Sequence, residues 1–264
     1  MTNPLDGRTA LVFGAGCAGE GWGNGNATAV AYAEAGAHVV AIDRDPVAAQ
    51  ATVALIGQRG LHATAQEADI LDGASVQRAV QAAMDRTGRI DILHNNVGVA
   101  GMGGPVDLDE DAWDRLIAIN LKGVFLTCKH VLPIMLAQGR GAIVNISSLA
   151  AIRYTGYPYQ AYYAAKAAVN QLTVGLALQY AAQGIRANAV LPGLIDTPLI
   201  HNQIAGQYAS DAEMVAARNA ACPMGRMGTA WDVANASVFL ASDAAAYITG
   251  VCLPVDGGLS CRAA

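Results

Sequence analysis

Tyr162 and Lys166 stand four residues apart in Gln160-Ala161-Tyr162-Tyr163-Ala164-Ala165-Lys166-Ala167-Ala168. The stretch has high helix propensity, so both side chains fall on one helix face. A phenol ionises near pH 10, and bringing it toward about 7 takes roughly 4 kcal/mol of preferential anion stabilisation. A neighbouring ammonium can supply much of that, which makes the pair a candidate proton-transfer unit for a hydroxyl or carbonyl substrate. The spacing alone decides little, because most such pairs are solvated or packed. Its weight depends on what surrounds it.

Upstream, Ala142-Ile143-Val144-Asn145-Ile146 reads as a strand and runs into Ser147-Ser148. Two hydroxyls therefore sit at the carboxyl edge of a sheet, where ligands of doubly wound folds bind. A serine pair also commonly starts a loop. Further upstream, a first strand at Thr9 to Phe13 leads into Gly14-Ala15-Gly16-Cys17-Ala18-Gly19-Glu20-Gly21-Trp22-Gly23-Asn24-Gly25 and then an Ala-rich helix. Glycines allow backbone N–H groups close to a pyrophosphate, and the helix N-terminus favours its charge. Asp43 ends the second strand 18 residues after Gly25, where a carboxylate can accept both hydroxyls of an adenosine ribose and repel the extra phosphate of NADP. NAD is the expected cofactor, although Arg44 next door offers a charge for NADP.

These residues require a scaffold that brings strand ends together. Short β-branched runs at Thr9 to Phe13, Val39 to Ile42, Ala63 to Gln66, Ile90 to Leu93, Ala142 to Ile146, Ile185 to Leu191 and Val251 to Val255 alternate with helical stretches. Such alternation is what a parallel sheet with crossover helices needs. Gly36, Gly88, Gly139 and Gly184 each separate a helical stretch from the next strand, as glycine C-caps do. The expected fold is α/β: a doubly wound, parallel, seven-stranded Rossmann-type sheet in a single domain over 1–264. The one long irregular stretch, from Pro192 to about Gly228, has the length of a functional lid and is expected to hold a substrate loop at about 194–228.

Taken in order, the glycine-rich turn, Asp43, Asp69-Ile70, Asn95-Asn96-Val97-Gly98, Asn120, Ile146-Ser147-Ser148, Tyr162 with Lys166, Pro192-Gly193 with Thr197, and Asp256-Gly257-Gly258 resemble the short-chain dehydrogenase/reductase family over essentially the whole chain. The resemblance implies an NAD-dependent oxidoreductase that moves a hydride between a secondary alcohol and the cofactor. It implies that Ser148 hydrogen-bonds the substrate oxygen, Tyr162 exchanges the proton, Lys166 binds ribose and lowers the tyrosine pKa, and Asn120 anchors a water in the proton relay. It places Gly14, Gly23, Asn24 and Gly25 at the pyrophosphate, Asp69 and Ile70 at the adenine, and Asn96 and Gly98 at the ribose. Pro192, Gly193, Ile195 and Thr197 would hold the nicotinamide carboxamide. The chain departs from the family in three ways: the glycine turn is about five residues longer, Phe13 and Val97 replace a threonine and an alanine, and Ser148 to Tyr162 is one residue longer than usual. The first leaves Gly19 with Gly23 and Gly25 as an alternative phosphate set, and the last leaves Ser147 as an alternative to Ser148. Rival readings are the same fold with elimination, dehydration or epimerisation chemistry, or a non-catalytic nucleotide-binding regulator; Asp43 and Lys166, both cofactor-facing by the resemblance, weigh against the first.

Among the other residues, Trp22 is expected to pack the longer loop rather than cap phosphates, and Cys17 to be an inert thiol. His94 and His130 are expected in ordinary hydrogen-bonded roles. His201, Met102, Tyr154, Tyr157 and Tyr159 are candidate substrate contacts, together suggesting an apolar, aromatic-lined pocket for a bulky or aryl-bearing alcohol. Hydrophobic residues make up 53% of the chain and charged ones 14%, below the roughly 25% charged of typical soluble domains, so part of the surface is expected in a homo-oligomer, by resemblance a tetramer. A net charge of -5 without a basic stripe disfavours nucleic acid. Five scattered cysteines imply reduced thiols and no metal site. With no run of about 18 apolar residues and no leader-like start, a cytoplasmic protein acting on a small molecule, without membrane partners, is expected.

Overall fold

The computed structural model describes residues 3–17 and 19–262. Its strands are β1 (Thr9–Phe13), β2 (His38–Asp43), β3 (Ala63–Glu67), β4 (Ile92–Asn95), β5 (Gly141–Ile146), β6 (Ile185–Pro192), β7 (Ile195–Asp196), β8 (Gly228–Thr229) and β9 (Cys252–Val255). Seven of them form one sheet in the order β3-β2-β1-β4-β5-β6-β9, and every pairing is parallel. The remaining two, β7 and β8, pair with each other. Chain direction across the sheet reverses between β1 and β4, which creates a crevice at their carboxyl ends.

Side-chain alternation along each strand divides the core into two layers. Leu11, Phe13, Val40, Ile42, Leu93 and Ile143 face one layer. It is covered by α3 (Gly73–Thr87), by α5 (Gly123–Gln138) and by α6 (Gln160–Tyr180). Ala10, Val12, Val39, Ala41, Ile92 and Val144 face the other, under α1 (Asn24–Glu34), α2 (Pro46–Gly57) and α9 (Ala230–Ala241). With both faces covered, the inner strands β1, β2 and β6 read as nearly continuous apolar runs, whereas the half-buried edge strand β3 does not.

Local chemistry sets the element ends. Asp45 and Asp72 accept hydrogen bonds from the N–H groups of Val47 and Ala74, capping α2 and α3, and Pro46 occupies the first turn of α2. Gly88 and Gly139 end α3 and α5 at φ +68°, where a side chain would be strained. The short helix α4 (Glu110–Ile117) runs through a wide π-turn at Ala118–Lys122 into α5. This continuous Glu110–Gln138 helix is long and apolar enough to cross a membrane, yet half of its apolar window is buried and α5 lies against α3, β4 and β5.

The stretch after Pro192 is not irregular. It holds β7, α7 (Pro198–Gln203), α8 (Asp211–Ala221) and β8, built around Ile200, Ile204, Met214 and Met227. Its apolar positions are too short and too interrupted by Gly206, Pro223 and Gly225 to show helical periodicity over a long window.

The starts of β1 and β4 are tied by one buried carboxylate. Asp91 accepts from the Thr9 N–H at 2.9 Å and from Arg89 Nε and Nη2 at 2.7 and 2.6 Å. Replacing Asp91 by alanine leaves the buried Thr9 amide without an acceptor, and is expected to lower unfolding free energy by about 2–3 kcal/mol in urea denaturation. Asp91→Asn, which keeps one acceptor, should lose less.

Candidate active site and nucleotide cleft

Gly14, Asp43, Asn96, Ser148 and Gly193 converge because each lies at or just beyond the end of a parallel strand. A cleft of about 460 Å³ opens along the carboxyl edge of the sheet. Gly14, Gly23, Asn24, Gly25 and Asp43 line one part of it, Asn96 and Gly98 the middle, and Ser148, Tyr162 and Lys166 the far wall. Pro192, Gly193, Ile195 and Thr197 line it from β6 and β7.

At the glycine-rich end, α1 docks onto the exit of β1 with almost no clearance. A Cβ on Gly25 would lie 1.9 Å from the Gly14 carbonyl oxygen, and Asn96 Nδ2 donates to that same oxygen at 2.9 Å. The first-turn N–H groups of α1 have no intrahelical acceptors and so suit an anion. Asp43 Oδ2 accepts from the Gly16 N–H at 2.9 Å, holding the turn against the end of β2. Gly16 and Cys17 also line the cleft, whereas Gly19 lies against Pro198, outside it. Of the two glycine sets, Gly14 with Gly23 and Gly25 lies wholly on the cleft lining, and the set that begins at Gly19 does not. The additional loop residues are held by Trp22, which packs edge-on to Trp231 with ring centroids 4.9 Å apart, while Arg59 lies over its ring.

Asp69 and Ile70 do not reach the cleft lining. Ile70 is a core residue packed on Gly123, and Asp69 Oδ1 accepts from the Leu71 N–H. Asp45, which the sequence reading passed over, lines the cleft beside Asp43 and Arg44. Its capping pattern before Pro46 was the available signal, and it pointed only to a helix start.

At the far wall, Tyr162 and Lys166 share one face of α6. Lys166 is buried, its Nζ donating to the Ile146 carbonyl at 2.9 Å and lying 5.6 Å from the centre of the Tyr162 ring. Burial pushes the Lys166 ammonium down to about 8. Tyr162 is raised above the ordinary phenol value by burial, and the neighbouring Ser148 hydroxyl draws it back down. With the Lys166 ammonium held on the Ile146 carbonyl, the Ser148 hydroxyl is the group that acts against burial on the phenol. The two serines separate cleanly. Ser147 is buried and donates to the Lys166 carbonyl at 3.1 Å, whereas Ser148 faces the phenol and also accepts from the Ala150 N–H. Tyr163 faces away; its hydroxyl accepts from the Thr155 N–H and donates to the Tyr157 carbonyl, anchoring the loop before α6.

Asn120 sits behind this wall, fully buried in the π-turn. Its Nδ2 donates to the carbonyls of Val99 and Leu116, and its Oδ1 accepts from the Val99 N–H. Gly98 fits between them, since a Cβ there would lie 2.9 Å from Lys166 Nζ and 3.0 Å from Asn120 Oδ1. Gly193 is similarly confined by Asp256, whose Cβ would lie 2.6 Å from an added methyl. The cleft thus has glycines where the protein's own atoms leave no room for a Cβ, and free helix-terminal amides and a carboxylate at one end. These are features that fit an adenine dinucleotide.

Among the substrate-contact candidates, Tyr157 and Tyr159 line the cleft, while His201, Met102 and Tyr154 do not. His201 faces outward between Asp196 and Asp211. His94 hydrogen-bonds the Tyr32 hydroxyl deep in the core, with burial pushing its imidazole down to about 3. Arg218 lines the cleft as well, and nothing in its local sequence announced it.

A family model described as enoyl-(acyl carrier protein) reductase matches residues 18–260. A solved structure from Burkholderia xenovorans described as a short-chain dehydrogenase/reductase is 47% identical, covers 99% of this chain and 100% of its own, and superposes with a TM-score of 0.93. This chain belongs to the short-chain dehydrogenase/reductase family. A curated relative, 2-(S)-hydroxypropyl-CoM dehydrogenase 3 of Xanthobacter autotrophicus, is 40% identical over 85% of this chain and 88% of its own length. The structure of a gluconate 5-dehydrogenase from Burkholderia cenocepacia J2315, solved in complex with NADP and tartrate, is 33% identical, covers 99% and 98% of the two chains, and has a TM-score of 0.89.

The Gly25 contact gives a direct check on the cleft. Gly25→Ala is expected to lower stability by about 1–3 kcal/mol, because the methyl group forces α1 away from β1. Binding of a nicotinamide dinucleotide, NAD and NADP each followed by calorimetric titration, should weaken more than roughly tenfold as the first-turn amides shift with it.

Proposed function

We propose that this short-chain dehydrogenase/reductase is an NAD-dependent enzyme that interconverts a secondary alcohol and a ketone, with Tyr162 as the acid/base. The reading is carried by one observation: the Tyr162 phenol, the Ser148 hydroxyl and the Lys166 ammonium meet on the wall of a cleft whose other end holds Asp43 and the glycine turn. Dehydrogenase relatives support redox chemistry on an alcohol-type substrate.

When bound, the nicotinamide supplies the hydride acceptor or donor. Pro192, Gly193, Ile195 and Thr197 would hold its carboxamide, and the hydroxyl of Thr197 is not engaged in capping α7. Gly14, Gly23, Asn24 and Gly25 would cradle the pyrophosphate, and Asn96 with Gly98 the ribose. Asp69 and Ile70 would contribute only from beyond the present cleft wall. Ser148 orients the substrate oxygen and stabilises the phenolate. Tyr162 takes the alcohol proton in oxidation and returns it in reduction. Lys166, fixed by the Ile146 carbonyl, reaches ribose and adds positive potential near the phenol. Asn120 holds the π-turn open so that a water can relay the proton outward.

NAD is favoured over NADP because Asp43 and Asp45 both present carboxylates at the end of β2. A like-charged phosphate there would be repelled, with Arg44 alone to offset it. The exposed apolar side chains Trp113 and Phe125 along the α4–α5 helix and Leu178 on α6 suit a self-complementary homotetramer interface. A cytoplasmic setting is consistent with five free thiols.

Tyr162→Phe keeps the ring and removes the proton carrier. It should lower kcat by about 10²–10⁴-fold, read from absorbance of reduced nicotinamide, with unchanged thermal stability; full activity would remove the tyrosine from this role. Because burial raises the phenol, the protonated form dominates at neutral pH. Alcohol oxidation needs the phenolate and should accelerate as pH rises into the alkaline range, while ketone reduction needs the phenol and should slow. Initial rates in both directions check the opposite slopes. Asp43→Ala should raise KM for NAD roughly tenfold and affect NADP less; a greater loss for NADP would reverse the cofactor assignment.

A further inference from the structure

The segment between β6 and β9 brings one charge into the cleft that the redox chemistry does not use. On α8 only Met214 and Arg218 are buried, four residues apart on the same face. Arg218 is 5% exposed and lines the cleft at the tyrosine end. Its Nε donates to the sulfur of Met227 at 3.3 Å, a weak acceptor for a guanidinium. No carboxylate among the described residues lies within ion-pair distance of it. The acids of its own helix are engaged elsewhere: Asp211 with His201, and Glu213 with the Ala209 N–H.

A second unpartnered polar group lies in the same corner. Tyr159 is 5% exposed, lines the cleft, and its hydroxyl is buried without a hydrogen-bond partner. Arg218 acts on the phenols of both Tyr157 and Tyr159 and lies within hydrogen-bonding reach of the first, a neutral partner that leaves its charge without an anion. The Tyr157 hydroxyl, by contrast, is paired with that of Tyr208 at 2.6 Å. The Tyr159 and Tyr162 ring centroids are 6.0 Å apart, so this corner adjoins the proton-transfer wall.

A guanidinium buried without an anion is expensive in free energy, and an orphaned hydroxyl beside it adds to that. Both deficits vanish if the ligand carries the missing charge. Guanidinium geometry matches an oxyanion with paired acceptor oxygens, and the tyrosine hydroxyl can donate a further bond. We propose that Arg218, with the Tyr159 hydroxyl, is the specificity site for an anionic substituent, a carboxylate or a sulfonate, carried by the alcohol or ketone that Tyr162 protonates and deprotonates. The substrate is then a hydroxy or keto acid rather than a neutral aryl alcohol, because Arg218 and Tyr159 line the same cleft as Tyr162 and Tyr159 adjoins it. This rests on the redox reading above for the reaction, but not for the anion site itself.

Matched secondary alcohols test it: β-hydroxybutyrate, β-hydroxypropane sulfonate and the neutral methyl ester of β-hydroxybutyrate, each with NAD. The wild-type chain should favour at least one of the two anions over the ester by about tenfold or more in kcat/KM. Arg218→Gln should raise KM for that anion roughly 10–100-fold while leaving ester turnover and KM for NAD within about threefold. Arg218→Lys, which keeps the charge without the fork, should recover part of the loss. Equal use of ester and anions by the wild type, or a rise in KM for NAD instead, overturns the assignment. If no alcohol is oxidised, calorimetric titration with butyrate and methanesulfonate still decides: binding lost in Arg218→Gln upholds the anion site and sinks the redox reading, whereas no binding by the wild type sinks the anion site.

Discussion

Parallel pairing obliges the chain to recross the sheet after every strand, so all strand exits emerge along one edge and all entries along the other. The candidate chemistry of this protein depends on that constraint. Gly14 follows β1, Asp43 closes β2, Asn96 follows β4, Ser148 follows β5 and Gly193 follows β6. Each was brought to the cleft by the same rule, and none needed a long loop to reach it. Where chain direction reverses, between β1 and β4, neighbouring exits diverge and leave room for a ligand. The core layers on either face exist to keep those exits in register.

Features set by local sequence were legible in advance. Apolar runs gave the inner strands to within two or so residues, because strands buried on both faces must be apolar throughout, whereas the edge strand β3 is only half-buried and ends in Gln66 and Glu67. Tyr162 and Lys166 were readable because helix spacing fixes their common face. Other properties belong to the folded environment and leave no local trace. Whether Ser147 or Ser148 faces the phenol depends on the twist after β5, and the raised Tyr162 pKa depends on burial rather than on its neighbour in sequence. Arg218 occupies an interrupted region whose helices are too short to show a period. Asp69 and Ile70 matched a family pattern, yet Ile70 is held in the core by its fit against Gly123.

The lengthened glycine turn illustrates how an insertion is absorbed. Its aromatic anchor, Trp22, packs against Trp231 on α9 and against Ala27 and Ala234, away from the cleft lining. The glycines adjoining α1 keep their approach to β1 because the insertion lies before them. The close approach of Gly25 to the Gly14 carbonyl pins the end of the turn, and Gly23 and Gly25, rather than Gly19, occupy the cleft wall.

The π-turn at Ala118–Lys122 has an effect on the long helix that contains it. A widened turn accommodates one more residue than an α-helical turn, and one residue corresponds to about 100° of rotation. Side chains after it are therefore out of phase with those before it. In α4 only Leu116 is buried, whereas α5 buries Val124, Leu126, Cys128, Val131, Leu132 and Met135. One rod thus has two azimuths: a mostly exposed arm that lies along α6 ahead of Asn120, and a sheet-facing plate behind it. Removing a single residue from the turn would restore an even helix and, in doing so, roll the plate's apolar stripe off the sheet.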